Sequence, residues 1–173
     1  MPVIVRNLLI IFLVSWGGFG CSLSETPEGV NIRVERVLSG HTLEYLDPTT
    51  SPATMQPVRL IGVNAPDLNQ SPWGRAARER LRQLIQGRVV LLELGTESRD
   101  RFDRVLAYVW LDGVLLNEQL VEEGYVLAEE RLPNTKYSRT LEYAQHHARL
   151  MERGIWNPAQ PLRLTPTEFR RQN

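Results

Sequence analysis

Two kinds of periodicity alternate along this chain in an order that few folds can satisfy. Val30, Ile32 and Val34 alternate with Asn31, Arg33 and Glu35, the two-residue repeat of a half-buried strand. Gly40 breaks that run, and Leu43 and Tyr45 resume the alternation on a second strand. Residues 47–57, rich in Thr, Ser and Pro, read as a loop. Val58, Ile61 and Val63 then mark a third strand, ending in a turn because Pro66 pushes Ala65 out of helical geometry. Here the period changes. Ser71 and Pro72 are placed to cap and open a helix that Gly87 ends, with Ala77, Leu81, Leu84 and Ile85 on one apolar stripe. Two further β-type runs follow at 88–94 and 104–111, the second turned by Asp112-Gly113. Five strands with a helix between the third and fourth are what an OB-type Greek-key barrel requires.

The remaining elements are helical. Asn117 can cap a short helix stopped at Gly124, and 125–128 is a short extended piece. A last helix begins after Pro133-Asn134-Thr135, with Leu141, Ala144, Ala148 and Met151 on one face and Gly154 as its terminator. The expected fold is therefore α+β: a five-stranded OB-type Greek-key β-barrel with three helices. At 173 residues and 42% hydrophobic composition the chain supports one such core. Nothing repeats at a fixed period, which argues against a solenoid.

The first 21 residues hold one positive charge, Arg6, then a short apolar run from Leu8 to Val14 and small residues up to Cys21. That is the pattern of a secretory leader, and the run is short for a membrane span of about 20 residues. A lone cysteine rules out an internal disulfide. Its position resembles the acylated cysteine of bacterial lipoproteins, with ordinary cleavage or an uncleaved anchor as the alternatives to lipidation. The expected organisation is a leader at 1–21, a polar linker at 22–29, a barrel domain at 30–156 and a flexible proline-containing tail at 157–173. The expected destination is outside the cytoplasm: periplasmic, secreted, or membrane-anchored through the leader or a lipidated Cys21. The formal charge is zero, with 20 basic and 20 acidic residues. A generally basic nucleic-acid binder is excluded, so polyanion binding must rest on local arginines.

One such arginine is Arg59, a fixed cation in the third strand with Asn64 and Asp67 just beyond it. A solvated arginine beside a polar turn is the plainer alternative. The stretch 57–67 resembles the R-L-x-G-[IV]-D-[AT]-P-E signature of the thermonuclease, or staphylococcal nuclease-like, family. Arg99 to Tyr108 resembles a second signature of that family, R-D-x-[YF]-G-R-x-L-A-[YF]. Ser39-Gly40-His41-Thr42 stands where the family has D-G-D-T, and Gly154-Ile155-Trp156 matches its closing G-[IL]-W. Order and spacing agree from about Asn31 to Trp156.

The resemblance implies a phosphodiesterase in which two aspartates hold calcium, a glutamate handles water and two arginines bind phosphate. The arginines match Arg59 and Arg104, and the glutamate matches Asp67, so the implied catalytic set is Arg59, Asp67 and Arg104. The two metal aspartates match His41 and Asn64. The glycine before the second arginine is Asp103, and two nucleotide-flanking tyrosines fall on Glu129 and Arg131. Calcium affinity is tuned by ligand charge, and imidazole suits transition metals instead. The expected function is thus an exported module that binds single-stranded DNA, RNA or other phosphate anions. Its calcium-dependent hydrolysis is weakened or lost, and it is a monomer. One alternative is an active nuclease using another metal or none, with His41 as ligand or base and Asp67 as the second carboxylate. Another is an envelope interaction scaffold whose barrel serves protein contacts only; the plainer alternative to the anion clamp pairs Arg59 internally with Asp67 or Asp103. Trp73 and Phe102 are candidate stacking platforms, while Arg75, Arg78, Arg80 and Arg82 read either as a nucleic-acid patch or as an ordinary solvated helix face.

Overall fold

A computed structural model describes residues 27–173. The leader, Cys21 and the first part of the linker lie outside the described residues. Five strands form the barrel: β1 (Val30–Ser39), β2 (Thr42–Asp47), β3 (Thr54–Leu60), β5 (Val89–Arg99) and β6 (Val105–Leu111). A two-residue strand, β4 (Val63–Asn64), follows β3 in the chain. β1 pairs antiparallel with both β2 and β5, which requires one strand to belong to two sides of the barrel. It does so by bending at two register shifts, between Val34 and Arg36 and between Val37 and Ser39. β2 pairs antiparallel with β3, and β5 with β6. The ring closes through a short parallel pairing of β3 with β6, Val58 opposite Val105 and Leu60 opposite Ala107. Closure leaves no long open edge. β7 (Val114–Leu115) pairs with β6, and β4 pairs with β8 (Leu127–Ala128).

The inward residues of these strands, among them Val34, Leu43, Val58, Leu60, Val90 and Val109, are buried in one core with Ala77, Leu81 and Ile85 of α1 (Trp73–Ile85). The stripe expected on this helix is the face it buries. Gly40 lets the β1–β2 turn reach it, because a Cβ there would stand 2.5 Å from the Ala77 Cβ. The helix opens at Pro72 with no side-chain cap, so Ser71 is not the cap expected of it. α2 (Leu116–Glu122) and α3 (Ser138–Leu150) flank the other side of the barrel. Leu141, Ala144 and Ala148 of α3 face the body, whereas Met151 lies past the last turn and is 55% exposed.

Two further expectations are corrected by the helices. The described residues contain four α-helices rather than three, and the fourth lies in the stretch expected to be a flexible tail. α4 (Pro166–Gln172) carries a capping box: the Thr165 side chain accepts from Glu168 N, and Glu168 accepts from Thr165 N at 2.7 Å. Pro166 occupies the first helical position, where its missing N–H costs nothing. The prolines read as breakers therefore include a helix starter.

The second correction concerns Asn117. Leu115 precedes the helix with extended geometry, which places Asn117 inside α2 and turns its side chain into the barrel. Its Oδ1 accepts from Val109 N at 2.9 Å, and its Nδ2 donates to Ile61 O at 2.8 Å. It thus ties β6 to the turn that follows β3, a turn that needs the positive φ of Gly62. Asn117 is fully buried. Asn117→Ala would orphan both backbone groups, each costing about 1–3 kcal/mol. Urea denaturation should show a loss of about 2–4 kcal/mol; a change below about 0.5 kcal/mol would mean the bridge is dispensable.

Candidate functional site

The register of the barrel assembles the site. Arg59 stands opposite Thr42 on β2 and opposite Leu106 on β6. His41 is one residue before Thr42 and Arg104 two before Leu106, so three residues far apart in the chain share one mouth of the barrel. His41 O accepts from Leu60 N at 2.9 Å, fixing the turn against β3.

The Arg59 guanidinium donates to Leu60 O at 2.5 Å and to Val63 O at 2.6 Å. Neither Asp67 nor Asp103 is its partner, so the internal ion pair considered from the sequence is not formed. Carbonyl dipoles orient the group without neutralising it. Burial, with Arg104 close by, pulls its pKa down to about 9; Glu129 opposes this, and Arg131 and Arg170 add to it. The group is still charged at neutral pH. Arg104 is held by Asp100, with Nε 2.8 Å and Nη2 2.6 Å from Oδ2. Burial pushes the Asp100 carboxyl up, but hydrogen bonds from Arg104 and the Phe102 backbone outweigh it and hold the pKa low.

His41 Nδ1 accepts the Ala65 N–H at 2.7 Å. A ring nitrogen that accepts has no proton, so the neutral ring carries its proton on Nε2. Protonation is opposed by burial first, then by Arg59, Arg104 and Arg170, and the pKa lies well below its ordinary 6.5. His41 therefore presents a donor, Nε2–H, and lacks the free lone pair that a base or metal ligand needs.

Asn64 is 3% exposed, and its amide is committed on both sides. Nδ2 donates to Glu129 Oε1 at 3.0 Å and Thr167 Oγ1 at 3.2 Å, and Oδ1 accepts from Arg170 Nη2 at 3.1 Å. Asp67 makes none of these contacts; its Oδ1 accepts from Asn69 N at 2.9 Å, shaping the turn before α1. Asp103 has φ 60° where the family motif has glycine, and its exposed carboxylate pairs with Arg99 at 3.0 Å, not with Arg104. Of the expected set, Arg59, Arg104, His41 and Asn64 come together, while the hydrogen bond of the Asp67 carboxylate is the local one to Asn69 N.

Calcium takes six to eight oxygen ligands and depends on their charge. Here His41 offers an N–H, and the Asn64 oxygen is taken by a guanidinium. Among the described residues no three His, Cys, Asp or Glu side chains are grouped to hold a metal. The residues present do not fit the calcium that the resemblance implies.

Sequence reasoning missed Asp100, Thr167 and Arg170. Asp100 stands inside the second motif, four residues before the arginine it orients. Arg170 had a legible signal in Thr165-Pro166-Thr167-Glu168, a capping box with proline after the cap. Glu129 and Arg131, aligned with tyrosines, instead line the cleft beside Arg59 with Val63, Leu106 and Asn134. Phe102 is 63% exposed beside this mouth, with the Arg101 and Arg104 guanidinium carbons 4.7 and 5.4 Å from its ring centre. On α1, Arg80 forms a bidentate pair with Glu123 and Arg82 pairs with Glu79, the ordinary helix-face reading.

A closed Greek-key barrel with paired arginines at its mouth is a nuclease-like OB domain. A profile described as staphylococcal nuclease homologue matches residues 57–158. The chain is 31% identical over 155 residues to the thermonuclease of Staphylococcus hyicus, covering 87% of this chain and 89% of that one. To the thermonuclease of Staphylococcus intermedius it is 34% identical over 138 residues, covering 77% and 80% respectively. An uncharacterized endonuclease of Escherichia coli is 30% identical over 155 residues, 89% of this chain and 90% of its own length. The chain belongs to the staphylococcal nuclease homologue family.

The depressed pKa of His41 has a measurable consequence. Above its ordinary 6.5 the ring is neutral in both folded and unfolded chains, and pH has no effect through it. Below that value the unfolded chain takes a proton that the folded one refuses. Stability then falls by up to about 1.4 kcal/mol per pH unit until the folded pKa is reached. His41→Asn keeps an acceptor for Ala65 N but cannot titrate. Melting followed from about pH 7 to pH 5 should fall less steeply in this variant; equal slopes would mean that His41 protonates freely in the folded state.

Proposed function

We propose that this protein is an exported nucleic-acid-binding domain of the nuclease family that grips phosphate with arginine and without a metal, and that calcium-dependent hydrolysis is lost. One observation carries the reading. Arg59, half-buried and charged, rests on two carbonyls and has no carboxylate partner of its own among the described residues. Around the mouth, Arg104, Arg131 and Arg170 lie near Arg59, with Glu129 opposing them and Asp100 paired to Arg104. A buried cation without a counterion is costly, and a bound phosphate removes that cost. Guanidinium groups match phosphate geometry, and the Nε2–H of His41 adds a neutral donor. Exposed Phe102 beside Arg104 favours a nucleic acid over inorganic phosphate, since a base can stack on its ring. The names of the nuclease relatives point the same way. The leader pattern at 1–21 and Cys21 support export.

The reading is tested by melting the protein with a nucleoside 3′,5′-bisphosphate in EDTA. The melting temperature should rise, and Arg59→Ala should abolish the rise; no rise at millimolar ligand would remove the anion reading. Hydrolysis of single-stranded DNA and RNA should be absent with calcium. Cleavage with manganese or zinc that Arg59→Ala eliminates would instead establish an active nuclease. Phe102→Ala should weaken single-stranded DNA binding by about fivefold or more while leaving phosphate-induced stabilisation intact, since stacking on an aromatic is worth about 1–3 kcal/mol per base.

A further inference from the structure

We propose that Arg170 stands in for the metal: its guanidinium, brought in by the C-terminal helix, supplies the charge that calcium supplies in the family. As far as ligand binding goes, this rests on the anion-binding reading above. The resemblance places the family's metal between the side chains at His41 and Asn64. In this chain the Asn64 carbonyl oxygen accepts from Arg170 Nη2 at 3.1 Å instead.

The orientation of the Asn64 amide is not arbitrary. A guanidinium can only donate and a carboxylate can only accept, so Oδ1 must face Arg170 and Nδ2 must face Glu129. An aspartate at position 64 would direct a second carboxylate at Glu129. Asparagine is the side chain that this pair of neighbours requires. Loss of the metal aspartate, the carboxylate at 129 and the arginine at 170 therefore form one arrangement rather than three separate departures. His41 fits it as well, since its Nε2–H is a donor where a metal ligand would need a lone pair.

Arg170 is held in place by its helix. The Thr165–Glu168 capping box fixes the start of α4, and Pro166 is buried. Gln70, itself 7% exposed, donates to Leu164 O at 2.6 Å, and Thr167 accepts from Asn64 at 3.2 Å. Leu162 N donates to Ile155 O at 2.9 Å, joining this segment to the 3₁₀ turn Gly154–Trp156. Arg170 remains exposed as a residue, so the donors not spent on Asn64 are open to a ligand. Arg170 is therefore a phosphate-binding residue together with Arg59 and Arg104, and binding needs no divalent ion.

The test has two arms, both on the purified protein with folding checked by circular dichroism. In the first, calorimetry in EDTA follows a nucleoside 3′,5′-bisphosphate. Arg170→Ala should weaken binding by about tenfold or more, as loss of a charge-assisted hydrogen bond does, and Arg170→Lys should recover part of it. Unchanged affinity in Arg170→Ala, with binding lost in Arg59→Ala, would overturn the role of Arg170 and leave the anion reading standing. If the native protein binds nothing, the anion reading fails, and the second arm still decides what occupies the metal position. There, calcium is titrated into the His41→Asp/Asn64→Asp protein, with Arg170 retained or changed to Ala. Calcium should bind at least about tenfold more tightly when the guanidinium is removed, since like charges compete for one place. Equal affinities, or no binding in either background, would overturn the substitution.

Discussion

The parallel pairing of β3 with β6 is the interaction on which the rest of this structure depends. Three residue pairs, Val58–Val105 to Leu60–Ala107, convert a curled sheet into a closed barrel. The pairing is too short to be strong by itself, and Asn117 reinforces it from inside by bonding Val109 on one strand and Ile61 beyond the other. Because the pairing is parallel and Val58 stands opposite Val105, the residue before β6 comes level with Pro57, two positions before Arg59 on β3. Arg104 and Arg59 thus reach the same mouth although 45 positions separate them in the chain. Closing the core and building the site are one event.

What gathers at that mouth is positive charge held under constraint. Each arginine is oriented by a different device: Arg59 by two carbonyls, Arg104 by Asp100, Arg170 by Asn64. Only Arg104 has a carboxylate to itself. Like charges at close range repel strongly where water is scarce, and the low pKa of Arg59 and the neutral state of His41 register burial first and that repulsion second. Such a gathering of positive charge disfavours a further cation beside it. It leaves the domain suited to the opposite partner, an anion, and the hard oxygens of phosphate accept from guanidinium better than those of most other groups.

Much of the barrel was legible in the chain because strands and helices announce themselves by period. The helix stripe Ala77, Leu81 and Ile85 buries as its spacing requires, and Ile32 and Val34 bury as the strand alternation requires, although Val30 at the start of the strand is exposed. Side-chain roles were less legible wherever a residue has two uses. Asn117 has the composition of a cap, yet its fully buried amide serves two backbone groups that only the closed barrel brings within reach. Asp103 was a candidate ion-pair partner for Arg59. Its backbone conformation turns it outward to Arg99, a geometry that Asp tolerates better than most residues. The tail looked disordered from its prolines, although Thr165-Pro166-Thr167-Glu168 encodes a helix start in four residues.

The sequence alone determined the family, the barrel, the two arginines that match the family's motifs and the departure from both of its metal aspartates, because each is written in local spacing or in a short motif. It could not determine what replaced the metal. Asn64 and Arg170 are 106 positions apart, and no local pattern links an asparagine in a turn to an arginine near the end of the chain. Only the tertiary structure brings the last helix across the mouth of the barrel. The reason is physical: the direction of a buried amide is set by the donors and acceptors around it, and those neighbours exist only once the chain has folded.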